Sequence, residues 1–139
     1  MPGPRLLGFA LVAVLVAALR LSTCAPPAAP EQAVLIHFRL SDGKFGSAEE
    51  VGQLMDLERR LAVAIEGAGA GELDGNDVGG GEFVVYAYGA DADRLFSVME
   101  PLLRESALAR SGFVVKRYGA ADDRGAREVR MELQEENAR

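Results

Sequence analysis

Between Ala33 and Leu133 the hydrophobic period of this chain switches from two to 3.6 and back, twice. Neither an all-helical nor an all-strand fold accommodates that alternation, so the chain must build a mixed layer structure. Ala33 to Leu40 places Val34, Ile36, Phe38 and Leu40 on one side, with Leu35, His37 and Arg39 opposite, as a half-buried strand does. Ser41-Asp42-Gly43 turns the chain, and Ser47 followed by Glu50 forms a capping box. Val51, Leu54, Met55, Leu57, Leu61, Ala62 and Ile65 then recur at helical spacing, which predicts a helix over 48–66 ended by Gly67.

The turn-rich stretch Gly69 to Gly81 contains Leu73-Asp74-Gly75-Asn76, whose Asp-Gly pair predicts a tight reversal. A short strand over 71–73 is expected to turn there into the β-branched and aromatic strand Glu82 to Tyr88. Asp91 or Asp93 caps a second helix carrying Leu95, Phe96, Met99, Leu102 and Leu103, which Pro101 should bend or shorten. Gly112 to Tyr118 and Arg127 to Leu133 read as two further strands, the last at an edge, before a polar tail over 134–139 that is expected to fray. The predicted order is β-α-β-β-α-β plus a C-terminal strand, a single α+β domain over 33–133 with two helices on one face of an antiparallel sheet. This order resembles the ferredoxin-like two-layer sandwich. The chain is also similar to small bacterial domains of unassigned activity that carry Asp-Gly-x-x-x-Gly-Gly-Gly-Glu, here Asp74 to Glu82.

Ahead of that domain, Arg5 precedes Leu6 to Leu19, an unbroken run of apolar residues and one Gly. Fourteen helical residues reach about 21 Å, short of a hydrocarbon core of roughly 30 Å, so residues 1–23 read as a signal peptide. Leu21-Ser22-Thr23-Cys24 resembles the lipobox of bacterial lipoproteins, with Thr23 where Gly, Ala or Ser is usual. That resemblance implies cleavage before Cys24 and lipidation of its thiol. An uncut inner-membrane signal anchor and ordinary secretion are the alternatives, and all three carry the domain out of the cytoplasm. Ala25 to Gln32, with three prolines, is a stiff, extended linker. The chain has one Cys, which excludes an internal disulfide and suits an oxidising compartment.

Composition removes several functions. The chain carries −6 overall, and −8 from Cys24 onward, because only Arg5 and Arg20 are charged before it. Nucleic-acid binding needs the opposite footprint. The sole histidine, His37, has no nucleophile beside it in a recognised motif, so acyl-transfer chemistry is not supported. The acidic stretch Glu72, Asp74, Asn76, Asp77, Glu82 fails as a calcium loop, since its fifth and twelfth positions are Val78 and Val85. Gly79-Gly80-Gly81 lacks the lysine and hydroxyl of a phosphate cradle and reads as a place for positive φ or close backbone contact. No cofactor or metal is expected.

If Val34, Ile36, Phe38, Phe83, Val85, Phe113 and Val115 face the helices, the uncovered face carries His37, Arg39, Tyr86, Tyr88, Lys116 and Tyr118. Tyrosine with arginine is the composition of protein-binding hot spots. The sequence thus points to an envelope-anchored, non-enzymatic, acidic domain that binds another envelope protein, including an inhibitor or immunity-type role against a basic toxin. A partly wet sheet face, or one covered by a second copy of the chain or by the C-terminal segment, is the plainer alternative. An envelope carbohydrate binder or hydrolase using surface carboxylates with Tyr86 and Tyr88 is the alternative from another class.

Overall fold

The computed structural model describes residues 31–133. The expected signal peptide, Cys24 and most of the expected linker lie outside the described residues, as does the tail over 134–139. Five strands, β1 (Gln32–Arg39), β2 (Glu72–Gly79), β3 (Glu82–Gly89), β4 (Phe113–Tyr118) and β5 (Arg127–Glu132), form one antiparallel sheet in the order β2-β3-β1-β4-β5. Two helices, α1 (Ala48–Gly67) and α2 (Ala92–Glu105), pack on one side of it, and a short 3-10 turn over Ala107–Ser111 links α2 to β4. No helix among the described residues is long and apolar enough to cross a membrane.

The core follows from the predicted periods. Val34, Ile36, Phe38, Phe83 and Val85 on the sheet meet Leu54, Leu57, Leu61 and Ile65 of α1 and Leu95, Phe96, Met99 and Leu103 of α2, all buried. At roughly 1.5–3 kcal/mol for each large side chain withdrawn from water, this layer carries the fold. Met55, at helical spacing but on the flank of α1, stays 42% exposed.

Helix starts match the sequence, with one change of partner. The Ser47 hydroxyl accepts from Glu50 N–H as expected, but the Glu50 carboxylate accepts from the Ser41 N–H and hydroxyl instead of closing the box on Ser47. Asp91 caps α2, accepting from the N–H groups of Asp93 and Arg94. Pro101 sits inside α2 and does not shorten it, because the helix continues to Glu105.

The hairpin corrects the sequence reading. Asp74-Gly75 is not the reversal: β2 runs on to Gly79, and Asp74 is an extra residue bulged between the pairs Leu73–Ala87 and Gly75–Tyr86. The chain reverses at Gly80-Gly81, whose φ values of 62° and 86° match a two-residue turn with both corners left-handed. The Gly81 N–H donates to the Lys44 carbonyl, and the Leu40 N–H donates to the Gly81 carbonyl. These bonds clasp the turn against the loop that leaves β1.

Candidate functional site

Sheet register decides which side chains share the uncovered face. Three rows cross it. In the first, Ala33 lies between Tyr88 and Arg117; in the second, Leu35 lies between Tyr86 and Val115; in the third, His37 lies between Val84 and Phe113. Arg39, exposed at the end of β1, pairs with Glu82. On the flanks, Glu72 and Asp77 of β2 come beside Tyr88 and Val84, while Glu128, Arg130 and Glu132 of β5 come beside Arg117, Val115 and Phe113. Helices α1 and α2 bury the opposite side.

Four of the six expected residues, His37, Arg39, Tyr86 and Tyr88, therefore meet on this face. Lys116 and Tyr118 do not. Lys116 pairs with Val34 and Val114 pairs with the buried Ile36, so β4 stands one residue out of the expected phase. Lys116 and Tyr118 look toward α2, where both donate to Asp93 Oδ1, at 2.5 and 2.7 Å. The Lys116 ammonium also lies 5.5 Å from the Phe96 ring centroid. Lysine and tyrosine bonds hold the Asp93 carboxyl below its ordinary range, and the Asp93 bond raises the Lys116 ammonium. Phe113 and Val115, expected in the core, belong to the uncovered face together with Arg117.

The face is ordered by its own contacts. The His37 ring stacks on Phe113 at 4.3 Å with planes 9° apart, and the Arg130 guanidinium lies 3.5 Å from the Phe113 centroid. His37 Nδ1 donates to Glu82 Oε2 at 3.0 Å, which fixes the outer end of this stack. The Tyr86 hydroxyl donates to Asp77 Oδ2 at 3.0 Å; burial first, and that carboxylate second, push its phenol above the ordinary value, so it stays a neutral donor. Among the described residues the Tyr88 hydroxyl and the Arg39 guanidinium carry no hydrogen bond or ion pair.

At one end the face deepens into a slot of about 280 Å³, lined by Glu31, Ala33, Leu35, Tyr86, Tyr88, Arg117, Gly119, Ala121 and Glu128. Its far wall is the loop between β4 and β5. Arg117 holds that loop, donating from Nη2 to the carbonyls of Ala120 and Asp123 and from Nη1 to Glu128 Oε1 at 2.7 Å. Its Nε is enclosed and, among the described residues, without a partner. The arrangement offers stacking surfaces, apolar floor and paired charges. It does not gather a nucleophile with a base, and among the described residues no group of three or more His, Cys, Asp or Glu is placed to hold a metal ion.

Sequence reasoning missed Phe113, Val115, Arg117 and Arg130. The signal that bears on them is the unbroken run Phe113-Val114-Val115, in which no polar residue says which side faces the core. A scan against protein-family models and searches of curated proteins and of solved structures found no match to this chain.

Proposed function

We propose that this chain is an exported, lipid-anchored, non-enzymatic binding domain that uses its uncovered sheet face to recognise another protein of the cell envelope. One observation carries the reading: an aromatic and apolar centre, Leu35, Tyr86, Tyr88, Val115 and the His37–Phe113 stack, lies on a side of the sheet that no described element covers. Tyrosine and arginine around an apolar centre favour protein recognition. Edge-to-edge pairing is the weaker route, because β2 is bulged and acidic and β5 alternates charges along its length, both features that blunt an edge. In the same reading the fold is the ferredoxin-like sandwich, supported by the order β2-β3-β1-β4 with β1 central, to which β5 adds an outer strand.

The anchor and the face need separate tests. Intact mass of membrane-extracted protein should show loss of Met1 to Thr23 and gain of acyl chains at Cys24, and Cys24→Ser should leave an unprocessed precursor. Met1 retained with an unmodified Cys24 would replace the lipoprotein reading by an uncut anchor. For the face, binding to the partner purified from the same envelope should weaken at least tenfold in a Tyr86→Ala/Tyr88→Ala variant that still folds. Saturable turnover or binding of an envelope glycan, lost on replacing Asp77 or Glu72, would transfer the protein to the carbohydrate class. A monomer–dimer equilibrium abolished by the tyrosine variant would make a second copy the partner.

A further inference from the structure

The slot at the end of the uncovered face has a charge pattern that the rest of the face lacks. Among the carboxylates around the face, Asp77 accepts from Tyr86, Glu82 from His37, Glu128 from Arg117 and Glu132 from Arg130. Among the described residues, Glu31 and Glu72 have no hydrogen bond or ion pair. Both stand beside Tyr88, whose hydroxyl is also unpartnered. Glu72 is its cross-strand neighbour on β2, and Glu31 joins it from the β1 side as part of the slot. The one cation in the lining, Arg117, directs Nη1 to Glu128 and Nη2 to the carbonyls of Ala120 and Asp123, so its charge is balanced within the wall. The charge left over is negative and its groups accept hydrogen bonds, so the complementary ligand is a cation that donates them. Tyr86 and Tyr88 add ring faces, which attract a cation, and Ala33 and Leu35 add apolar surface. About 280 Å³ falls just below the span of small-molecule pockets and suits one side chain better than a metabolite.

We propose that the slot receives a lysine side chain of the partner protein, with its methylene stem on Ala33 and Leu35 and its ammonium at Tyr88, Glu31 and Glu72. This rests on the reading that the face recognises a protein, and it names the residue by which that protein is anchored. A lysine is apolar along its stem and charged only at its tip, which matches a slot that is apolar at its floor and negative beside Tyr88. Arginine fits less well. A guanidinium gains most from a carboxylate presented to its planar fork, and Glu128 inside the slot is engaged by Arg117. An ammonium is a compact charge whose three donors turn to separate acceptors, here the Tyr88 hydroxyl and the two unpaired carboxylates.

The test is an NMR titration of the full-length protein in uncharged detergent micelles, at matched ionic strength, with two capped amino acids. One is Nα-acetyl-lysine N-methylamide; the other is its norleucine counterpart, which keeps the four-carbon stem and lacks the ammonium. The lysine probe should shift the Tyr88 ring and Leu35 methyl resonances saturably, with the millimolar affinity expected of a single side chain. It should bind at least fivefold more tightly than the norleucine probe and leave the core methyls of Ile36 and Leu61 in place. Glu31→Gln/Glu72→Gln, at exposed positions, should reduce that preference below twofold at an unchanged melting temperature. Equal response to the two probes, no response at Tyr88 and Leu35, or a preference that survives the double variant overturns the proposal. With the proposed partner, acetylation of its lysines should weaken binding at least tenfold. Binding that resists acetylation but still falls in the Tyr86→Ala/Tyr88→Ala variant overturns the lysine anchor and keeps the recognition face. A lysine-selective slot on a protein whose partner ignores both tyrosines upholds the slot's preference and sinks the recognition face.

Discussion

Val114 and Val115 differ in nothing but position, yet the register with β1 gives them opposite fates. Val114 is fully enclosed opposite Ile36, whereas Val115 lies half-buried beside Leu35 on the uncovered face. Val114→Ala should therefore cost about 2 kcal/mol, and Val115→Ala well under 1 kcal/mol, in chemical denaturation. Equal losses would mean that β4 is out of the described register. The same pair explains where sequence reading stopped. In β1 the polar residues His37 and Arg39 interrupt the apolar ones and declare the faces, and the structure agrees with them. In β4 three apolar residues run together, and phase is set only by pairing with β1, a long-range contact that no local pattern encodes. A one-residue shift then exchanged Lys116 and Tyr118 for Phe113, Val115 and Arg117. Both expected site residues outside β1 and β3 were lost through that one ambiguity.

Elements are joined by a few polar ties whose strength can be read separately. Asp93 in the first turn of α2 holds both Lys116 and Tyr118 of β4. Its carboxyl is held low, so its contribution is complete above the ordinary carboxylate range and disappears as pH falls through the folded value. Lys116 is held high, so its contribution is complete below the ordinary lysine range and disappears as pH rises through the folded value. The α2–β4 tie is thus strongest between those limits. Asp93→Asn should flatten the fall in melting temperature as pH drops below the ordinary carboxylate value of about 4. The hairpin between β2 and β3 rests instead on backbone geometry. A Cβ at Gly81 would approach the Gly43 carbonyl oxygen to 3.0 Å at φ 86°, whereas one at Gly80 meets nothing within 4 Å. Gly81→Ala should cost about 1–3 kcal/mol and Gly80→Ala nearer 1 kcal/mol. An Asp-Gly pair and a triple glycine were both visible as turn signals, but only the cross-strand pairing shows that the first bulges and the second reverses. Helix α1, with its cap and spacing written locally, was legible almost to the residue, whereas α2 was legible in its apolar face but not in its end, since it runs through Pro101 to Glu105.

The whole molecule separates its charges from its core in a way that bears on the partner. Six carboxylates, those of Glu31, Glu72, Asp77, Glu82, Glu128 and Glu132, surround the apolar centre of the uncovered face, against the guanidiniums of Arg39, Arg117 and Arg130. The face is acidic in its own right, beyond the −6 of the chain. A basic protein would meet favourable potential at the rim and tyrosine surface at the centre, the first setting the rate of encounter and the second the lifetime of the complex. These contributions separate experimentally. Raising salt from about 0.05 to 0.5 M shrinks the screening length severalfold and should slow association with the proposed partner by tenfold or more, with little change in dissociation. Tyr86→Ala with Arg39→Ala should do the reverse, accelerating dissociation by an amount worth about 2 kcal/mol, at an almost unchanged melting temperature. Unfolding by that pair would place Tyr86 among the residues that hold the sheet together. An association rate indifferent to salt would rule out a basic partner and leave only the apolar centre as the determinant of recognition.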